Sequence, residues 1–121
     1  MNLSTRLPVA ADWFSAEVAA EGITVLGEPH VHPLLQANIW LVAGRERDLL
    51  VDTGNGIGDL ATALVSLRED PGKPLVAVLT HAHPDHQGGM HLFAERLMHR
   101  SEVAALERRL TALWQPPVPA A

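Results

Sequence analysis

The chain has 121 residues, 47% of them hydrophobic and 19% charged. That length and balance predict one buried core within these residues, neither a disordered tail nor two domains. The formal net charge of −5, from nine Lys and Arg against fourteen Asp and Glu, is spread along the chain and offers no basic face for a nucleic acid. There is no cysteine, which removes disulfides, thiolate metal sites and cysteine nucleophiles, so any metal must rest on histidine and carboxylate ligands.

The longest apolar runs, Ile39 to Ala43 and Leu75 to Leu79, have five residues each, far short of the roughly 18–20 that span a bilayer. Met1 to Ala11 holds no continuous hydrophobic stretch that would act as a secretory signal, so the expected location is cytoplasmic, with no membrane partner. Asp12 to Ala20 (DWFSAEVAA) predicts a short helix capped by Asp12 and stopped by Gly22. Ile23 to Leu26 is a β-branched run that predicts a strand, followed by an irregular stretch from His30 to Leu35. Ile39 to Ala43 and Leu49 to Val51, joined by a polar, glycine-containing connection, predict a β-hairpin.

After the turn formers Asp52-Thr53-Gly54-Asn55-Gly56, the residues Ile57, Leu60, Leu64 and Leu67 recur with helical spacing, and Asp70-Pro71-Gly72 ends that helix. Leu75 to Leu79 is short and continuously apolar, the pattern of a strand covered on both faces. Met90 to Glu95 predicts a short helix and Arg96 to His99 an outer strand. Ser101 is placed to cap a last helix whose apolar stripe is Val103, Leu106, Leu110 and Leu113. Pro116 to Ala121 cannot continue that helix and has the composition of a stiff tail or linker. The expected organisation is one domain over 1–115 and a Pro-rich tail or truncated linker over 116–121. No internal repeat is present.

The seven histidines are the main anomaly, because His81, His83, His86, His91 and His99 fall within nineteen residues. Thr80-His81-Ala82-His83-Pro84-Asp85-His86-Gln87-Gly88-Gly89 concentrates three imidazoles and a carboxylate at the end of a buried strand. His81 and His83, two apart on extended backbone, present their rings on one face and can grip one ion. Pro84 is expected to end the strand, after which Asp85 and His86 offer an oxygen and a nitrogen from a loop to a second ion. Gly88 and Gly89 are expected to allow a tight entry into the following helix. His91 is expected on a helix surface, His99 in a structural role beside the cap, and His30 and His32 on a solvated loop that borders the substrate entrance at most. Trp13, Trp40 and Trp114 are expected to pack rather than bind.

HAHPDHQGG resembles the His-x-His-x-Asp-His signature of the metallo-β-lactamase superfamily, and Asn38 to Gly54 (NIWLVAGRERDLLVDTG) is similar to that family's hairpin closing on an Asp-Thr-Gly turn. The resemblance covers about residues 23–114, and the Pro84 and Gly88-Gly89 variant is most similar to glyoxalase II-like thioesterases, lactonases and generic metallo-hydrolases. It implies an α/β fold, the N-terminal half of an αββα sandwich, with one mixed sheet flanked by helices. It also implies that His81 and His83 ligate a first metal, that Asp85 and His86 ligate a second and that Asp85 orients the nucleophile. Zinc is the implied metal, with two sites in a complete member and iron or manganese as alternatives. Asp52 resembles the position whose carboxylate holds a ligand imidazole by its other nitrogen; capping of the Asp-Thr-Gly turn is the equal alternative.

Complete members draw a further His, a bridging Asp and another His from a second half, whereas here thirty-five residues follow His86 and no Asp follows Asp85. The expectation is therefore a metal-dependent hydrolase of ester, thioester or lactone-type bonds that uses a metal-bound hydroxide on a small-molecule substrate. Its site is expected to be completed by a missing C-terminal half or by a homodimer. The alternative is a non-catalytic metal-binding or interaction half-domain that self-associates through an uncovered apolar sheet face.

Overall fold

The computed structural model describes residues 12–113. The expectations placed on Met1 to Ala11, on Trp114 and on the 116–121 tail lie outside the described residues, as do the side chains of Leu110 and Leu113. Six strands form one sheet in chain order: β1 (Ser15–Ala20), β2 (Ile23–Gly27), β3 (Ile39–Val42), β4 (Asp48–Val51), β5 (Leu75–Leu79) and β6 (Arg96–Met98). The first three pairings are antiparallel and the last two parallel. Parallel neighbours need a crossover, and these two carry the helices α1 (Leu60–Leu67) and α2 (Pro84–Gln87); α3 (Arg100–Leu113) follows β6. The sheet is mixed and flanked by helices, as expected. Among the described residues no helix is long and apolar enough to cross a membrane.

Alternation along the strands sends Leu26, Ile39, Leu41, Leu50 and Ala77 to one face, where Leu60 and Leu64 of α1 and Phe93 close the core. The opposite face carries the paired row Val25, Trp40, Val51 and Val78, all only half-buried. Both faces of the central strands are apolar, so the sheet is built to be covered on both sides.

Two elements at the start and middle of the chain depart from the sequence expectations. Asp12 to Ala20 does not form a helix: Ser15–Ala20 is an exposed edge strand, paired to β2 across the two residues Glu21 and Gly22. Gly22, at φ 73°, supplies the positive φ that the second central position of this tight turn takes. So short a segment gains more from that ladder than from a helix of its own. Ile57 is 65% exposed and precedes α1, because Asp59 starts the helix by accepting hydrogen bonds from the Thr62 N–H and hydroxyl. The helix also ends earlier than Asp70, at Leu67.

The early end has an electrostatic cause. Arg68 leaves the helix with extended backbone, and its Nε donates to Asp48 Oδ2 at 2.8 Å while Lys73 Nζ lies 2.9 Å from Oδ1. Asp48 is only 3% exposed, and burial alone would raise its pKa. The hydrogen bonds from Lys73, Arg68 and the Gly44 N–H outweigh that burial and hold the carboxyl below its ordinary 3.8. A depressed carboxyl stabilises the fold fully above its unfolded pKa, and the contribution is lost as pH falls through the lower folded value. Asp48→Asn should therefore cost about 3 kcal/mol at neutral pH and flatten the acid limb of stability below pH 3.8, as read by urea unfolding across pH. An unchanged acid limb would contradict the assignment.

Candidate metal centre

The histidine segment sits at the carboxyl ends of β4 and β5, where parallel strands bring two chain exits side by side. The Asp52 N–H donates to the Val78 carbonyl at 2.9 Å, which places the Asp52 carboxylate under the segment leaving β5. That carboxylate is 4% exposed and accepts from the Thr80 N–H at 2.8 Å. The Thr80 hydroxyl lies 2.9 and 2.8 Å from its two oxygens, and His86 Nδ1 is 2.9 Å from Oδ2. Asp52 itself has φ 66°, rare for a residue with a side chain. Its carboxylate meets the His86 imidazole at the nitrogen that faces the strand exits.

These contacts fix protons. A carboxylate only accepts, so Nδ1 of His86 carries a proton, and in the neutral ring Nε2 is the nitrogen left free. The Thr80 hydroxyl has one hydrogen and gives it to Asp52, so its oxygen accepts from His81 Nδ1, 2.8 Å away. In its neutral form His81 then also leaves Nε2 free. One buried carboxylate thus sets two imidazoles in the form that binds a metal.

β5 ends at Leu79, and Pro84 opens α2 rather than ending the strand. Proline suits a first helical position, having a preset φ and no N–H to leave unpaired. Asp85 and His86 consequently stand on one helical turn, not a loop, with Asp85 at the positive end of its dipole. His86 Nε2 is 3.5 Å from Asp85 Oδ2. The Arg109 guanidinium of α3 donates to the Ala82 carbonyl and ties the last helix to the same segment.

The two glycines after the motif act differently from the expectation. Gly88 has ordinary helical torsions, φ −58° and ψ −31°, so torsional freedom is not what it provides. A Cβ at Gly88 would lie 2.3 Å from the Asn55 carbonyl oxygen, and one at Gly89 would lie 2.6 Å from that of Thr53. Glycine is needed because residues 52–55 and 86–89 meet backbone to backbone. Thr53 N–H and Oγ1 both donate to the His86 carbonyl, at 2.7 and 2.9 Å, Gly88 N–H donates to the Gly54 carbonyl at 2.9 Å, and Gly89 N–H donates to Thr53 Oγ1 at 3.1 Å.

The structure brings His81, His83 and His86 together, with ring centroids 4.5 Å apart for His81 and His83 and 4.0 Å for His81 and His86. Imidazoles with Nδ1 tied and Nε2 bare, beside a carboxylate, are a donor set that suits a divalent metal such as zinc. The rings touch one another, however, and among the described residues no three ligand side chains already surround a common point. The other histidines serve local structure. His30 Nε2 donates to the Asp12 carbonyl, and His32 Nδ1 accepts from the Leu34 N–H. His91 is exposed. His99, not Ser101, begins α3, since its carbonyl accepts from Glu102 and Val103 and its Nδ1 from the Ser101 N–H. Trp40 is half-buried on β3, while Trp13 donates Nε1–H to Glu28 Oε2 at 2.9 Å.

The family model for the metallo-beta-lactamase superfamily matches residues 32–115. The chain belongs to the metallo-β-lactamase superfamily. It is 40% identical over 105 residues to the acyl-coenzyme A thioesterase MBLAC2 of Gallus gallus, across 82% of this chain and 38% of that protein. It is 37% identical over 108 residues to the MBLAC2 of Homo sapiens, across 82% of this chain and 39% of that protein. Among solved superfamily structures, the metallo-beta-lactamase from Hirschia baltica superposes with a TM-score of 0.66 at 21% identity, covering 81% of this chain and 48% of that one. The match therefore spans less than half the length of each of these proteins, and the last likeness is one of fold.

Within this superfamily member, the histidine segment and Asp52 stand out in the sequence, whereas Thr80, Thr53 and Glu28 do not. The signal for Thr80 was its position between a buried strand and the first histidine; Glu28 carries no local signal. Asp52→Asn would set an amide N–H against His86 Nδ1–H, forcing the imidazole into its other tautomer. Zinc affinity, measured by competition with a chromophoric chelator, should fall roughly 10–100-fold. Unchanged affinity would show that His86 does not depend on Asp52.

Proposed function

We propose that the chain supplies the His81, His83, Asp85 and His86 share of a metal-dependent hydrolase site acting on thioesters, acyl-coenzyme A thioesters first. The observation that carries the reading is Asp52, which leaves Nε2 of His86 and, through Thr80, of His81 bare at the carboxyl ends of two parallel strands. The substrate class is supported by the acyl-coenzyme A thioesterase activity for which the chicken and human relatives are named, at 40% and 37% identity.

His81, His83, Asp85 and His86 would hold the metal, and zinc is the proposed ion. Bound there, a divalent ion supplies Lewis acidity, acidifying a coordinated water and polarising the acyl carbonyl. The protein's own part is positional. Asp52 and Thr80 keep the imidazole protons on the far side of the rings, and the Asp85 carboxylate stands beside His86 Nε2, placed to accept a hydrogen bond from the attacking water. Water adds at the thioester carbonyl, the C–S bond breaks, and the products are a carboxylic acid and a free thiol.

The chain's lack of cysteine makes a thiol-release assay free of protein background. With zinc supplied, the full chain should release coenzyme A from a panel of short- to long-chain acyl thioesters. His83→Ala should lower the rate by roughly 100-fold or more, with its circular dichroism spectrum unchanged. Zinc bound without hydrolysis of any member of the panel would sink the reading in favour of a metal-binding half-domain.

A further inference from the structure

Glu28 is a buried carboxylate that the chemistry described so far does not use. It follows β2, is 1% exposed, and lies far in sequence from both the Asp-Thr-Gly turn and the histidines. Its two oxygens have separate duties. Oε1 accepts from the Asn55 N–H at 2.8 Å and from Asn55 Nδ2 at 3.1 Å, while Oε2 accepts from Trp13 Nε1 at 2.9 Å. Asn55 Nδ2 also donates to the Leu35 carbonyl at 3.0 Å.

The fit around Oε1 is tight. A Cβ on Gly54, at φ 70°, would lie 2.4 Å from it, so the turn can wrap this carboxylate only because that position is glycine. Asn55 lies within the strip 53–56 that meets 86–89, and Gly54 next to it accepts the Gly88 N–H. Burying a carboxylate is costly unless its oxygens are filled, and a polar anchor of this cost on the strip has a geometric consequence. It holds the strip at Asn55, and hence sets the height at which Thr53 and Asp52 meet His86.

We infer that Glu28 is a positioning residue for the His86 side of the metal centre, acting through Asn55 and the backbone contacts of residues 53–54 with 86–88. Oε1 does the positioning and Oε2 only ties in Trp13. The metal-binding consequence rests on the function proposed above, but the geometric one does not, so the two fail separately.

The test compares Glu28→Ala, Glu28→Gln, Asn55→Ala and Trp13→Phe in the full chain, reading amide hydrogen exchange and zinc affinity. In Glu28→Ala the Thr53 and Gly88 amides should exchange about tenfold or more faster, while Leu41 and Leu50 in the β3–β4 ladder keep their protection. Zinc affinity should fall by about tenfold. Glu28→Gln retains a carbonyl oxygen for Asn55 and should stay within about threefold of the parent, and Trp13→Phe likewise. Asn55→Ala, which leaves the Glu28 to Trp13 bond in place, should move the same two amides if Glu28→Ala does not fold. Unchanged exchange at Thr53 and Gly88, or acceleration spread equally over the ladder, would overturn the inference. Absence of zinc binding by the parent chain would show that these four residues do not hold the ion without the rest of the site, and the exchange result would still decide the role of Glu28.

Discussion

Everything distinctive about this chain depends on one buried carboxylate shared between two strand exits. Asp52 accepts from Thr80 and His86 at once, and these bonds keep the carboxylate paired at 4% exposure. The stabilisation of the fold and the orientation of the imidazoles are therefore the same set of hydrogen bonds. Removing the carboxylate would unsettle the loop and the donor atoms together.

The sheet explains why that carboxylate is available. β4 and β5 are parallel neighbours in direct register, so both leave the sheet at the same edge. α1 fills the crossover between them while Leu60 and Leu64 bury its inner face. The Gly88 and Gly89 backbone then closes on residues 53–55 at distances that exclude any side chain. Packing, topology and missing Cβ atoms thus converge on the few residues that carry the histidines. The Asp48 cluster performs a parallel service at the other end of β4, pinning the exit of α1 to the strand's start.

Much of this was legible in the sequence, for identifiable reasons. The β3–β4 hairpin, α1 and β5 follow from apolar periodicity, and the histidine cluster from its density at a strand end. Asp12 to Ala20 misled because an exposed edge strand buries almost nothing and leaves no alternating pattern to read. Pro84 misled because proline ends strands and opens helices equally well, and only the tertiary path decides. Gly88 and Gly89 were noticed, yet their reason lies in residues more than thirty positions away. Glu28 was invisible for the same cause, since a buried carboxylate looks like any surface acid until its partners are known. Local chemistry showed which residues matter, and long-range contacts show what holds them.

The most direct test of this picture is the protonation pattern of the imidazole rings, read by long-range ¹H–¹⁵N correlation spectra of the metal-free chain above the histidine titration range. His86 and His81 should both appear as the Nδ1–H tautomer with unprotonated Nε2, held by Asp52 and by Thr80 respectively. Finding the Nε2–H tautomer at His86, or the averaged signals of a free ring, would mean that Asp52 does not set the donor and that the centre is organised by something else.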